Sequence, residues 1–385
     1  MHIVVVGGGF GGVKAAKEIA KRKIGKVTLV SDEPYFLHHA TLYATATGKN
    51  MAESVIPLAA IFDDQPDVTV VQDSMTALDT TRRIVVGKKK QYKYDALVIA
   101  IGSVTTYFNI DGVAQHAFGI KTLDEIERFQ AHMQQEVVEK RLDKEFFVIG
   151  AGPTGVELAG ALNDYLKDLK TLYRLKGSQA KVTLVEAAPR ILPQASQTAA
   201  NVIGRRLKKL GIKVLVDHKV EALDDDQIKI NGKKYPTSTA IWTAGMSNHP
   251  FFAKHDHLFH LEHNGRVNVT PYLEAMPGVY VVGDNNTVKY GGMAWPTLKQ
   301  ATFVAKDLLR KKSGRTRFGF RPTSVPSGLP VGKKWGYVEW HGIYVAGFAG
   351  YLTRRWMEYY GYRQLVSREK ALPIWRAHNL LQVDN

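Results

Sequence analysis

Cysteine is missing from all 385 residues of the chain. Disulfides, thiolate nucleophiles, zinc–thiolate sites and cysteine-held iron–sulfur clusters are therefore excluded for it. No apolar run reaches the length that a membrane-spanning helix needs. The apolar segment Ile3–Val6 opens the chain with no basic stretch and long apolar core around it, so no secretory signal is expected. Acidic residues are in deficit, with 36 Asp and Glu against 52 Lys and Arg, a formal charge of +16. The imbalance is uneven: from Lys299 to the end, 16 Lys and Arg face 5 Asp and Glu. Such an excess predicts an anionic partner, either nucleic acid or an anionic lipid surface. The length suits two or three domains, and 45% apolar with 23% charged residues is ordinary globular composition.

One pattern occurs twice. His2–Val6 reads as a strand, Gly7, Gly9 and Gly12 as a tight turn, Val13–Lys23 as a helix and Lys26–Val30 as the next strand. About 143 residues later the unit returns: strand Phe146–Ile149, turn glycines Gly150, Gly152 and Gly155, helix Val156–Leu169, strand Lys181–Glu186. Each glycine triplet lies between a strand and a helix, the context that a dinucleotide-binding turn requires. The first glycine makes the turn, the second admits a pyrophosphate and the third lets helix and strand pack. The free N–H groups of the helix start face the phosphates.

The residue that ends each second strand reports on the ribose. Glu186 follows Val182–Val185 and can hold ribose hydroxyls while repelling a 2′-phosphate, which favours NADH over NADPH; Arg190 nearby works against that preference. In the first unit Asp32 or Glu33 takes the corresponding place. Spacing alone does not say which unit holds which dinucleotide.

The apolar run Tyr94–Ile101 before Gly102 reads as a buried parallel strand, as do Thr239–Trp242 before Gly245 and Gly278–Val282 before Gly283. Leu123–Val138 and Pro296–Lys312 read as helices, Lys213–Leu223 and Gln227–Ile230 as strands, and 313–334 as loop. The fold class that follows is α/β, with two Rossmann-like dinucleotide-binding domains and a separate C-terminal region.

These motifs resemble the type II NADH dehydrogenases, or NADH:quinone oxidoreductases, within the pyridine-nucleotide flavoproteins. Gly7–Gly12 (GGGFGG, with Phe10 and Gly11) looks like the FAD fingerprint, and Asp95–Ser103 (DALVIAIGS) resembles the segment that returns toward the flavin. Gly150–Gly160 (GAGPTGVELAG, with Pro153 and Thr154) resembles the NADH fingerprint. Ile241–Gly245 (IWTAG) matches the crossover back, and Val279–Asp284 (VYVVGD) the second FAD motif, whose aspartate contacts the ribityl chain. Tyr43–Gly48 (YATATG) resembles a loop near the flavin. Gln300 falls on the second glutamine of the family's AQxxxQ element at the quinone pocket, while Trp295 and Pro296 replace its alanine and first glutamine. His38–His39–Ala40 departs from the usual aromatic-Gln-Pro beside the flavin. These departures imply a reshaped acceptor side.

The resemblance implies an FAD-binding domain from 1–115 and 245–325, an NADH-binding domain from 116–244, and a C-terminal region, 326–385, for membrane anchoring or dimerisation. It further implies that electrons pass from NADH through FAD to a membrane quinone without proton pumping, in a homodimer peripheral to the cytoplasmic face of the cell membrane. Glu157, at the start of the second glycine-linked helix, and Gln300 are the residues carried over to catalysis. His38 and His39 are read as packing or cofactor contacts. The cluster His249, His255, His257, His260 and His263 lacks metal-site spacing and is read as a polar loop.

A soluble NAD(P)H-dependent flavin reductase or oxidase is the first competing reading, and a redox-responsive nucleic-acid-binding flavoprotein the second. No zinc-finger, RRM or KH motif supports the latter. Sulfide:quinone and disulfide reductases are opposed by the missing cysteine.

The last fifty residues differ in character. Within Trp335–Leu365 the apolar part Gly342–Leu352, read as a helix, is about 16 Å long, too short to cross a bilayer. Trp335, Trp340, Tyr344, Tyr351, Trp356, Tyr359 and Tyr360 surround it, and Arg354 and Arg355 are placed to reach lipid phosphates. The segment is expected to lie on a membrane, or to form a lobe packed on the rest of the chain or on a second subunit.

Overall fold

A computed structural model describes residues 1–177 and 180–380. The first unit opens with β1 (His2–Val6), α1 (Phe10–Lys21) and β2 (Lys26–Ser31), then β3 (Val68–Gln72) and β4 (Ala96–Ile99). The second comprises α2 (Leu123–Val138), β5 (Glu145–Ile149), α3 (Pro153–Leu172), β6 (Lys181–Val185), α4 (Gln197–Leu210), β7 (Lys213–Leu215) and β8 (Ala240–Trp242). The chain then returns with β9 (Glu274–Met276), β10 (Val279–Val281) and α5 (Ala294–Lys312). It ends in β11 (Ser327–Pro330), β12 (Gly336–Trp340), β13 (Ile343–Gly347), α6 (Phe348–Leu365) and α7 (Arg368–Ala377).

Two sheets carry the molecule. The first runs β9-β10-β4-β1-β2-β3, parallel except for the edge strand β9. The second runs β7-β6-β5-β8, all parallel. Because both faces of the first sheet are covered, β1 is apolar from Ile3 to Val6, with Ile3, Val4 and Val5 fully buried. Helix α1 presents Val13, Ala16 and Ile19 to this sheet, a spacing of three. Helix α2 starts where Thr122 and Glu125 cap each other, Thr122 accepting from the Glu125 N–H at 3.2 Å and Glu125 accepting from the Thr122 N–H at 3.1 Å. A two-stranded link, Ser103–Thr105 against Met246–Asn248, joins the two crossings between units.

The C-terminal elements are built into both units. Leu329, Val331 and Tyr337 belong to the core of the second unit, and Tyr362, Leu365 and Ala371 to that of the first. Truncating a fully buried residue such as Leu365 to Ala is worth about 2–5 kcal/mol.

The structure departs from the sequence expectations in several places: the YATATG stretch read as a loop holds the helix Leu42–Ala46, and the histidine-rich stretch read as a polar loop holds the helix Pro250–Lys254, with Phe251 and Phe252 buried. Lys213–Leu223 is not one strand: β7 and Val220–Leu223 lie in different sheets, separated by a turn in which Asp217 has φ 55°. Loop 313–334 contains β11. Gly342–Leu352 is not a helix; it spans the end of a β-hairpin and the start of α6. The hairpin turns through His341 and Gly342, at φ 51° and 79°, the two-residue turn that suits the twist of paired strands. Arg354 and Arg355 do not reach outward: both are buried. Residues 381–385 of the C-terminal region lie outside the described residues.

Candidate active site

The two glycine turns have the same construction. Gly7 and Gly150 have φ 111° and 100°, and a Cβ at either would strike the backbone of the neighbouring crossover, at Ala100 and Ala244. A Cβ on Gly12 or Gly155 would lie 1.8 Å from the carbonyl oxygen of Gly7 or Gly150, so helix and turn touch. Gly9 and Gly152 differ: a Cβ there would meet nothing within 4 Å. They face open space at the starts of α1 and α3, where no side chain caps the helix. Each turn is thus a cradle with free N–H groups at a positive helix end, which fits a pyrophosphate. Phe10, Gly11, Pro153 and Thr154 form the first turns of these helices.

The acids beyond the second strands differ between units. Asp32 follows β2 and is exposed, its Oδ1 accepting from the Glu33 N–H at 3.1 Å. Glu186 follows β6 and is half-buried. Its two oxygens accept from the N–H groups of Ala151 (2.7 Å) and Ala188 (2.9 Å), which hold the carboxylate beside the glycine turn. Arg190 is turned away and donates to the carbonyls of Leu192, Pro193 and Ala195 at 3.1, 2.6 and 2.9 Å. With those contacts made, the Arg190 guanidinium is engaged by the backbone of 192–195.

Four expected site residues meet at one loop. A single 3₁₀ turn, Gly283–Asn285, follows β10. Asp284 accepts from the Gly292 N–H at 2.8 Å and from the Ser103 hydroxyl at 3.2 Å. Asn285 clamps Gly102, accepting from its N–H at 2.9 Å and donating to its carbonyl at 2.6 Å. Gln300, on α5, is buried behind this loop. Its Oε1 accepts from the Gly283 N–H and from the Asn286 amide, both at 2.8 Å. It is neither a surface glutamine nor, through this oxygen, free for an acceptor. Gly245 lies against the Phe108 ring, where a Cβ would come within 2.4 Å of it.

Lys121 was not singled out from sequence. Its ammonium donates to the Ser103 carbonyl, and burial pulls it down to about 8 against the charges of Asp284 and Glu125. His39 lies within electrostatic reach of both Lys121 and Asp284. His38 is buried, and that burial holds its imidazole down at about 3, so it is neutral. It packs between Phe10 and Tyr362, with Nδ1 at 3.1 Å from the Thr41 hydroxyl.

Glu157 sits in the first turns of α3, 8% exposed. Burial pushes its carboxyl up to about 8; Arg354 opposes this and Glu358 adds to it. At neutral pH it is therefore a carboxylic acid that holds a proton. The neighbouring groups come from the C-terminal region, which the sequence assigned to membrane anchoring or dimerisation. Glu358 on α6 pairs with Arg354 at 2.9 Å and with Arg355. Burial pushes Glu358 upward, but the two guanidiniums outweigh it and hold it below the usual carboxylate range. Arg354 also donates to the Gly328 carbonyl at 3.0 Å. Tyr43, in the short helix Leu42–Ala46, feels both Glu358 and Glu157, and burial holds its phenol well above its ordinary value. The available signal was three charges at i, i+1 and i+4 inside an apolar segment, where unpaired charge is costly.

A family model described as pyridine nucleotide-disulphide oxidoreductase matches residues 1–302. The chain belongs to that family. The type II NADH:quinone oxidoreductase Ndh of Mycobacterium tuberculosis is 30% identical over 340 residues, covering 81% of this chain and 73% of the relative. The type II NADH:quinone oxidoreductase of Staphylococcus epidermidis is 24% identical over 370 residues, covering 90% and 91%. Within the wider class the chain is thus a member of the type II NADH:quinone oxidoreductases. In fold it matches NDH2 of Plasmodium falciparum, solved in complex with NADH, at a TM-score of 0.84, 17% identity and 97% of both chains. A sulfide:quinone oxidoreductase of Aquifex aeolicus follows at a TM-score of 0.80 and 17% identity, covering 96% and 92%.

Proposed function

We propose that this protein oxidises NADH and reduces a membrane quinone, with FAD as its resident cofactor and without pumping protons. Bound FAD supplies the redox chemistry, accepting a hydride and releasing the electrons to the acceptor. The observation that carries the reading is a buried neutral acid, Glu157, where the second cradle meets the C-terminal charge cluster.

In this reading residues 1–115 and 245–325 bind FAD and 116–244 bind NADH. Gly7, Gly9, Phe10, Gly11 and Gly12 hold the FAD pyrophosphate at the start of α1, and Asp32 reaches its adenosine ribose. Gly102, Gly283 and Asp284 line its ribityl side. Gly150, Gly152, Pro153, Thr154 and Gly155 hold the NADH pyrophosphate, Glu186 its ribose, and Gly245 closes the crossover. Glu157 keeps a proton at its carboxyl for the reduced quinone oxygen. Gln300 acts as a positioning residue, fixing the loop that carries Asp284.

The C-terminal region, 326–385, meets the cytoplasmic face of the cell membrane without crossing it. Among the described residues no helix is long and apolar enough to cross. Support comes from an exposed apolar face: Trp340, Ile343 and Tyr344 on the hairpin, and Phe348, Leu352, Trp356 and Tyr360 at every fourth residue of α6. A homodimer uses part of the same region.

Rapid mixing tests the central reading. NADH should bleach the flavin, and a soluble quinone analogue should restore its colour. Fast bleaching with no quinone-dependent recovery assigns a different acceptor. Flotation with liposomes tests the membrane part: protein that stays at the bottom at low salt refutes it.

A further inference from the structure

A groove of about 390 Å³ lies between α1, α5, α6 and the loop before β11. Lys14, Lys299, Lys306 and Arg321 contribute four cations to it. Lys14 is compensated, by Glu18 at 2.8 Å and the Gln364 amide oxygen at 3.1 Å. Lys299 has only a hydroxyl partner, Thr323 at 2.6 Å. Among the described residues no carboxylate pairs with Lys299, Lys306 or Arg321. The sole acid of α5, Asp307, points inward and is held by Arg317 and Tyr280. Three uncompensated cations therefore share one concave site, which an anion of matching size would neutralise.

The walls are aromatic. Trp295 lies against Tyr360 at 5.2 Å between ring centroids, and Phe303 against Phe320 at 5.3 Å. Tyr360 is also the last ring of the exposed stripe Phe348, Leu352, Trp356, Tyr360, and Trp356 stacks on it. The next residue of that stripe, Gln364, lines the groove. An apolar track about 18 Å long, at 1.5 Å per helical residue, thus runs straight into the basic site. A ligand matched to both has an anionic head and an apolar tail. A nucleic acid would leave the apolar track uncovered, and a second copy of this basic chain would bring like charge to the groove.

We propose that this groove binds the phosphate headgroup of an acidic phospholipid whose acyl chains meet the α6 stripe. The proposal rests on the membrane reading above and gives it a specific lipid site. It also changes which residues meet phosphate: Arg354 and Arg355 are spent on Glu358, and Lys299, Lys306 and Arg321 do this work instead.

Partitioning of the FAD-loaded protein onto phosphatidylcholine vesicles, with and without phosphatidylglycerol, provides the test. The variants are Lys306→Gln with Arg321→Gln, and a control of equal charge change in the second unit, Lys233→Gln with Lys234→Gln. The wild type should prefer the acidic vesicles. The groove variant should bind them about 30-fold more weakly, as expected for two basic residues near an anionic surface, and the control much less so. Inorganic phosphate should not displace the wild type beyond chloride of equal ionic strength. Equal weakening of both variants, or none in either, overturns the groove while leaving membrane binding intact. Displacement by phosphate alone makes it a free-phosphate site and overturns the lipid assignment. A wild type that ignores acidic vesicles overturns the membrane reading and the groove together.

Discussion

Replacing Glu157 with Gln separates the holding of a proton from the filling of space. With the Glu157 carboxyl pushed up to about 8 by burial, roughly ten in eleven folded molecules carry it neutral at pH 7, and roughly one in eleven at pH 9. If the neutral form serves the quinone, quinone-dependent reoxidation in the wild type falls roughly tenfold across that interval. Glu157→Gln keeps the shape but has no proton to give, so its reoxidation should be slow and level over the same range. The substitution has the opposite effect on stability. The folded chain keeps a proton that the unfolded chain surrenders near its ordinary value of 4.5. Wild-type stability therefore declines as pH rises from about 4.5 to about 8 and is level above that. The decline is on the order of 3–5 kcal/mol. The Gln variant escapes it and at pH 8 should be the more stable protein and the slower enzyme, a trade that active sites commonly show. Rapid mixing with a quinone analogue and thermal unfolding at two pH values provide both readouts. A wild-type reoxidation rate that stays level from neutral to alkaline pH, or a Gln variant with the same inflection, refutes the reasoning.

Glu186→Ala should lower kcat/KM for NADH about tenfold, the loss of one charge-assisted hydrogen bond, with little gain for NADPH because Arg190 stays bound to its three carbonyls; equal use of both coenzymes before and after the change would contradict it. Gln300→Ala leaves the Gly283 N–H and the Asn286 amide without their acceptor, at about 1–3 kcal/mol. Faster loss of FAD on dilution is expected, and a defect confined to quinone turnover with FAD retention intact would return Gln300 to the acceptor site. Arg354→Met removes the attraction that holds Glu157 down, so the alkaline inflection should move upward. It also strips Glu358 of one partner at about 3–5 kcal/mol, measured by denaturant unfolding; an unmoved inflection counts against electrostatic coupling of the two residues.

The parts of the fold that were legible in advance are those set by local backbone rules. Both glycine turns, β1, β5 and the limits of α2 follow from φ, close approach and capping, and each needs only a few neighbouring residues. The helices begin earlier than read, at Phe10 and Pro153, because the turn itself delivers their first N–H groups. The hairpin of β12 and β13 carried a usable signal that apolar content masked: aromatic and β-branched Tyr337 and Val338, then His341–Gly342, then Ile343, Tyr344 and Val345. A two-residue turn with glycine between β-branched and aromatic residues outweighs a short apolar run as evidence. The fate of Arg354, Arg355 and Glu358 was not legible, since burial depends on what packs over α6 from elsewhere in the chain. Gln300 was found by motif position, yet its hydrogen bonds depend on a loop seventeen residues earlier.

The C-terminal region binds these findings into one argument about the molecule. Val331 and Gly332 lie against Gly160 of α3 so closely that a Cβ there would sit 2.6 Å from the Gly332 nitrogen. Lys333 reaches Asp164 through its N–H at 2.6 Å and Asp168 through its ammonium at 2.5 Å, and Arg206 donates to the Val331 carbonyl at 3.1 Å. At the other end the Tyr362 hydroxyl donates to the Glu53 carbonyl at 2.6 Å, and Glu53 pairs with His378 at 2.8 Å. One segment is therefore fastened to both units, and Arg354 and Glu358 lie on it between the two fastenings. Its outer face carries the exposed rings, and its inner face sets the charge around Glu157. An apolar anchor attached by a flexible linker would leave Glu157 open to water and its carboxyl near the ordinary value. Tying α6 to both units keeps Glu157 dry, and so neutral, which is what the proposed role of that acid toward a lipid-soluble acceptor requires.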